Sequence, residues 1–148
     1  MSDKYFADTN ILVYAFDKKD ADKQRITQQI LMVEGEQGNL TVSTQVLQEF
    51  FVTITRKLKP AFDIELAHEL VKEFDSYPII KIDFQMILGA IKRNQQGYVS
   101  FWDGLIIEAA LKSQCNILLS EDMQDGQLID NQITIRNPFK KENKMTQT

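Results

Sequence analysis

"ADTNILVYAF" (residues 7–16) places one aspartate at the seam between two hydrophobic runs. Tyr5, Phe6 and Ala7 lead into the seam, and Ile11 to Phe16 lead away from it. A short apolar run that ends at an acid and resumes with apolar residues reads as a strand that turns into a helix. Gly or Pro would make such a turn more simply, so Asp8 serves either as a helix cap or as a chemical group.

Further along, Leu40–Val42, Ile79–Ile82, Ile117–Leu119 and Ile133–Ile135 read as short strands, like Tyr5–Ala7. Helices are expected near residues 10–16, 20–34, 45–58, 63–75, 84–95 and 101–113. Val46, Leu47, Phe50, Phe51 and Ile54 form a one-sided stripe at helical spacing. Asp63 and Ser100 are placed to cap the helices that follow them. The stretch "FWDGLIIEAAL" (101–111) is apolar nearly all round and is expected to be largely buried, Trp102 included. Alternating strands and helices imply an α/β fold, a mainly parallel sheet with helices on both faces. In such folds ligands bind beyond the carboxyl ends of the strands.

The chain has 148 residues, a length for one domain, and 43% hydrophobic residues suffice for an ordinary core. No apolar run approaches the roughly 20 residues that span a bilayer, and "MSDKYFADTN" (1–10) is too polar for a secretory signal. Cys115 stands alone, which rules out an internal disulfide and a thiolate metal site. The expectation is a cytoplasmic protein with no membrane association. The domain is expected over residues 1–139, with a flexible C-terminal tail at 140–148. A net charge of −4 argues against a broad basic face for nucleic acid. The basic stretches "RKLK" (56–59), "IKR" (91–93) and "RNPFKK" (136–141) read as solvated helix ends or tail.

Acids recur where strands end. Asp8 follows the first strand, Glu49 lies in the second turn of the helix after the second, and Asp83 follows the third. "SEDMQD" (120–125) follows the fourth, and Asp103 begins the apolar helix. Each has a structural reading: Asp8 and Asp83 as N-caps, Asp103 in a Ser100-x-x-Asp103 capping box, Glu49 solvated on a polar face with Gln45 and Arg56, Asp122 shaping a turn. Asp103 is the hardest to explain this way. A carboxylate on a buried helix must be protonated, paired or metal-bound, and no basic residue lies near it in sequence. Were Asp8, Asp103 and Asp122 to converge, their repulsion would call for a divalent cation. Oxygen ligands favour Mg²⁺ or Mn²⁺ over Zn²⁺, because Cys115 and His68 are single and isolated.

Four stretches in order, "FADTNILVYAF", "STQVLQEFF", "SFWDGLIIEAAL" and "ILLSEDMQDGQ", with "NPF" near the end, resemble a PIN-domain ribonuclease, specifically the VapC-like toxin of a VapBC toxin–antitoxin pair. The resemblance covers roughly residues 4 to 139. It implies a three-layer PIN-like fold whose central, mainly parallel sheet of about five strands is flanked by helices. It also implies an acidic pocket for one or two Mg²⁺ or Mn²⁺ ions. Asp8, Glu49, Asp103 and Asp122 match the catalytic and metal-binding acids of the family, with Glu49 either binding metal or orienting the attacking water. Asn10 matches the amide that steadies the first acid, and Ser120 a hydroxyl position. Glu121 and Asp125 are candidates for supporting contacts. Asp83 matches no family acid and stays a cap.

The implied activity is metal-assisted endonucleolytic hydrolysis of RNA, leaving a 5′-phosphate and a 3′-hydroxyl. The implied partners are an RNA substrate, a cognate antitoxin that blocks the pocket with a basic side chain, and a second copy of the chain. "QQILMV" (28–33) and "VLQEFFVTI" (46–54) are candidate dimer or antitoxin contacts, or core. Other readings are a nuclease of the same superfamily acting in RNA processing or on DNA flaps, and a catalytically silent RNA- or protein-binding domain. A phosphoryl-transfer protein with Asp8 as nucleophile fits less well. The haloacid-dehalogenase type needs a second Asp where Asn10 stands, and the receiver type needs an acid pair in the first loop.

Overall fold

Among the described residues, six strands form one sheet, in the spatial order Ile79–Ile80, Leu40–Ser43, Tyr5–Ala7, Ile117–Leu119, Ile133–Arg136, Leu128–Ile129. The computed structural model describes residues 2–58 and 61–140, so the expected tail, beyond Lys140, lies outside the described residues. The strands are β1 Tyr5–Ala7, β2 Leu40–Ser43, β3 Ile79–Ile80, β4 Ile117–Leu119, β5 Leu128–Ile129 and β6 Ile133–Arg136. Central β1 pairs in parallel with β2 (Tyr5 opposite Leu40) and with β4 (Tyr5 opposite Ile117, Ala7 opposite Leu119). β3 extends the parallel array beyond β2, and β6 extends it beyond β4. β1, β2 and β4 are buried throughout, as strands covered by helices must be.

The five expected strands are all present. The sixth, β5, was not anticipated. It is a two-residue antiparallel edge joined to β6 through Asp130 and Asn131, both with positive φ. Successive left-handed residues of this type make the tight turn of a hairpin.

The helices are α1 Thr9–Tyr14, α2 Ala21–Ile30, α3 Thr44–Arg56, α4 Ile64–Lys72, α5 Phe84–Gln95 and α6 Phe101–Lys112. A π-helical stretch, Leu31–Gly35, continues α2, and a 3₁₀ turn, Glu73–Ser76, continues α4. Side-chain caps start each of the six. Asp8, Asp20, Ser43, Asp63, Asp83 and Ser100 accept from backbone N–H groups of the first turn. One large core of aliphatic and aromatic residues surrounds β1, β2 and β4. A smaller one, Met86, Ala90 and Leu105, seals α5 against α6.

α6 buries Gly104 to Ile107, Ala109 and Ala110. Trp102, however, is 60% exposed: it lies in the first turn of the helix, which borders a cleft rather than the core. "IKR" also departs from expectation. Arg93 Nε donates to Glu108 at 2.7 Å and its Nη2 to Asp130 at 2.8 Å, which ties α5 to α6 and to the β5–β6 turn. Of the two candidate contact stretches, Val46, Phe50 and Ile54 belong to the core, whereas Met32, Val33 and Val52 are exposed.

Candidate active site

Asp8 is presented by the end of β1 and starts α1. Its own N–H donates to the Leu119 carbonyl at 2.9 Å, which fixes the chain beside the end of β4. One carboxylate oxygen accepts from Thr9 N–H at 2.7 Å. The other accepts from the Ser120 hydroxyl at 2.7 Å and from Asn10 Nδ2 at 3.3 Å. Asp8 is only 7% exposed. Burial pushes its pKa up to about 6, against these hydrogen bonds, and the charges of Asp103 and Glu49 add to the rise.

Asn10 joins two acids. Its Nδ2 also donates to Asp122 at 3.1 Å, while its Oδ1 accepts the Glu121 N–H at 3.2 Å. Ser120, fully buried at the end of β4, accepts from the N–H groups of Asp122 and Met123 at 3.2 and 3.3 Å while donating to Asp8. Two short side chains therefore hold the loop after β4 against the loop after β1. Thr9 supplies a link that sequence reading missed: its hydroxyl donates to Glu49 at 2.8 Å and ties the acid of α3 to the first turn of α1. The contact spans 40 positions, and nothing local in either segment announces it.

Asp103 stands in the first turn of α6, with its N–H on the Ser100 hydroxyl at 3.1 Å. Burial raises its pKa, and the charges of Asp122 and Glu49 raise it further. Gln45, read from sequence as part of a solvated face, is instead buried. Its Nε2 donates to the Trp102 carbonyl at 3.2 Å, and its Oε1 is the one buried side-chain atom among the described residues with no partner. Gln45 precedes Glu49 by one helical turn and faces the same way, so a polar stripe was legible there but its burial was not.

Asp8, Glu49, Asp103 and Asp122 line one cleft of about 740 Å³, together with Asn10, Gln45, Trp102, Asp17, Glu121 and Lys57 among others. The remaining two candidates behave differently. Glu121 reaches the cleft but is engaged by Lys23 and by Tyr14. Asp125 is not brought into the cleft: its carboxylate accepts the Asn137 N–H at 2.8 Å and faces Lys140 at 3.5 Å, closing the turn after β6. Asp83 only caps α5.

The donor set is oxygen-only and mutually repelling, which suits a hard divalent cation. The arrangement is open, and among the described residues no trio of His, Cys, Asp or Glu is drawn tightly enough to enclose an ion. Thr9 holds Glu49, and the Asn10 amide, donating to both Asp8 and Asp122, offsets part of the repulsion between those two carboxylates.

A model of the PIN domain matches residues 5–124 of the chain. Solved structures of similar fold include a toxin–antitoxin complex from Klebsiella pneumoniae, 17% identical, with a TM-score of 0.64 over 92% of this chain and 98% of that one. Another is VapC20 of Mycobacterium tuberculosis, a sarcin–ricin-loop-cleaving toxin, 14% identical, with a TM-score of 0.63 over 80% and 92%. A third is a DNA-bound VapBC from Salmonella typhimurium, 16% identical, with a TM-score of 0.62 over 91% and 98%. No curated protein sequence matches the chain. At these identities the likeness is one of fold.

Proposed function

The chain belongs to the PIN-domain family, and from that premise we propose that it is a metal-dependent endoribonuclease, the toxin of a toxin–antitoxin pair. The observation that carries the reading is the convergence of Asp8, Glu49, Asp103 and Asp122 from four separate segments on one cleft. Among the described residues, none of the four forms an ion pair with a cation of the protein. The toxin–antitoxin complexes of similar fold support the antitoxin partner.

Asp8, Asp103 and Asp122, with Glu49, would hold one or two Mg²⁺ or Mn²⁺ ions, which supply charge neutralisation at the phosphate and a water acidified toward neutral pH. Ser120 and Thr9 N–H keep Asp8 oriented and favour its ionised form. Asn10 keeps Asp8 and Asp122 at a fixed separation. Thr9 aims Glu49 at the cleft, where that carboxylate either joins the metal ligands or accepts a proton from the attacking water. An antitoxin would block the same cleft by placing a basic side chain among these acids.

The test is cleavage of a structured RNA pool in Mg²⁺ or Mn²⁺ and in EDTA, by the natural protein and by Asp103→Asn. Cuts that need metal and fall at least about a hundredfold in the variant are expected. An unchanged rate in Asp103→Asn would remove Asp103 from the site, and metal-independent cutting would overturn the mechanism.

A further inference from the structure

We infer that Lys23 is a positioning residue of the cleft: it neutralises Glu121 and ties that carboxylate to α1 and α2, so that substrate phosphate meets one fewer bare acid. The inference builds on the ribonuclease reading and names a residue outside the matched acids.

Glu121 sits between Ser120, which is bonded to Asp8, and Asp122, and it lines the cleft. Its carboxylate accepts from the Tyr14 hydroxyl at 2.6 Å and forms an ion pair with Lys23 Nζ. That ammonium also reaches the Tyr14 hydroxyl at 3.5 Å. It lies 4.8 Å from the centre of the Tyr14 ring and 5.2 Å from that of Phe139, and the two rings meet edge to face. Four segments thus meet around one charge: α1, α2, the loop after β4 and the chain after β6. The side chains of Lys23 and Glu121 are 29% and 22% exposed, and pairs that still face water contribute little to stability. The position of the pair gives it a different importance. Among the described residues the cleft is lined by Asp8, Asp17, Glu49, Asp103, Glu121 and Asp122, with Lys57 as the one cation. RNA brings further negative charge to that lining, and repulsion there acts on binding.

Lys23→Met keeps the unbranched apolar stem against the two rings and deletes the charge. In cleavage of an RNA oligonucleotide that the natural protein cuts, at low salt and with Mg²⁺, KM should rise roughly tenfold, kcat should stay within about twofold, and the gap should shrink as salt is added. The double variant Lys23→Met/Glu121→Gln removes both charges and should return KM to within about twofold of the natural value. Lys23→Arg should keep KM near normal. An unchanged KM in Lys23→Met overturns the inference. So does a double variant as weak as the single one, which would make Lys23 a direct phosphate contact. So does a loss confined to kcat.

Fluorescence anisotropy of a labelled mixed-sequence RNA in Mg²⁺, with Asp103→Asn as the common background, makes the same comparison without cleavage. Failure to cut RNA then counts against the ribonuclease reading alone, while equal binding with and without the Lys23 charge overturns the role given to Lys23.

Discussion

Asp8 caps a helix and is a buried charge, and the two roles oppose each other. The cap and the Ser120 hydroxyl favour the carboxylate, burial disfavours it, and burial prevails, with the pKa near 6 against 3.8 for a free side chain. The folded, metal-free protein therefore holds a proton that the unfolded chain has already released between about pH 4 and 6. Stability falls as pH rises through that window and is flat above it, with a deficit on the order of 3 kcal/mol at neutral pH from this group. Asp8→Asn removes the charge but replaces one acceptor facing Ser120 or Thr9 with an NH₂ group, which offsets part of the gain. In EDTA at pH 8 the variant should be more stable than the natural protein by about 1–2 kcal/mol, with the gap closing toward pH 4. Mg²⁺ should then raise the melting temperature of the natural protein and leave the variant little changed. A variant that melts lower at both pH values would sink this account. The D-T-N triplet made the cap legible because that contact is local, while the roles of Asp8 as a site acid and of Asn10 beside it were implied by the family resemblance. Gln45 and Thr9 were not legible, because their partners are Trp102 and Glu49 on distant segments.

Elements were readable where periodicity and caps agreed. Asp63, Asp83 and Ser100 start helices where the sequence placed them. β5 escaped because two residues carry no period, and Leu128 of the pair is 55% exposed; the Asp130–Asn131 pair was the available signal, since both residues tolerate the left-handed turn. The pairing of α5 with α6 was likewise hidden in a small residue. A Cβ on Gly104 would stand 3.2 Å from Cα, Cβ and the carbonyl oxygen of Ala90, and two of those atoms are backbone. Gly104→Ala gains up to about 1 kcal/mol in helix propensity, but the helices must separate, at about 1–3 kcal/mol for overpacking. A net loss of up to about 2 kcal/mol is expected in thermal denaturation. Because Asp103 is the preceding residue, RNA cleavage should fall as well. A variant as stable as the natural protein would mean that α5 yields freely.

The whole molecule carries a net charge of −4, and its candidate site gathers Asp8, Asp17, Glu49, Asp103, Glu121 and Asp122 on one cleft of a chain whose composition already argued against broad nucleic-acid binding. Charge balance was legible from composition. The concentration of acids in one cleft, with Arg93 and Lys23 both taken up by internal ion pairs, was not. A cleft lined in this way is a poor place to hold RNA by releasing counterions. Its affinity should depend on the divalent ion and on few lysines. For single-stranded RNA the slope of log K against log salt is about −0.7 for each phosphate neutralised by the protein. With Lys57 as the one cation among the described residues that line the cleft, a shallow slope of about −0.7 to −1.5 is expected at constant Mg²⁺. Lys57→Ala should flatten it by about 0.7 while leaving the Mg²⁺ requirement intact. Chelation should weaken binding more than any rise in monovalent salt. The measurement is RNA binding by anisotropy across a salt series, in Mg²⁺ and in EDTA. A slope steeper than about −3 that persists in EDTA would show that RNA is held on a basic surface away from the cleft, and the site acids would then act on a strand gripped elsewhere.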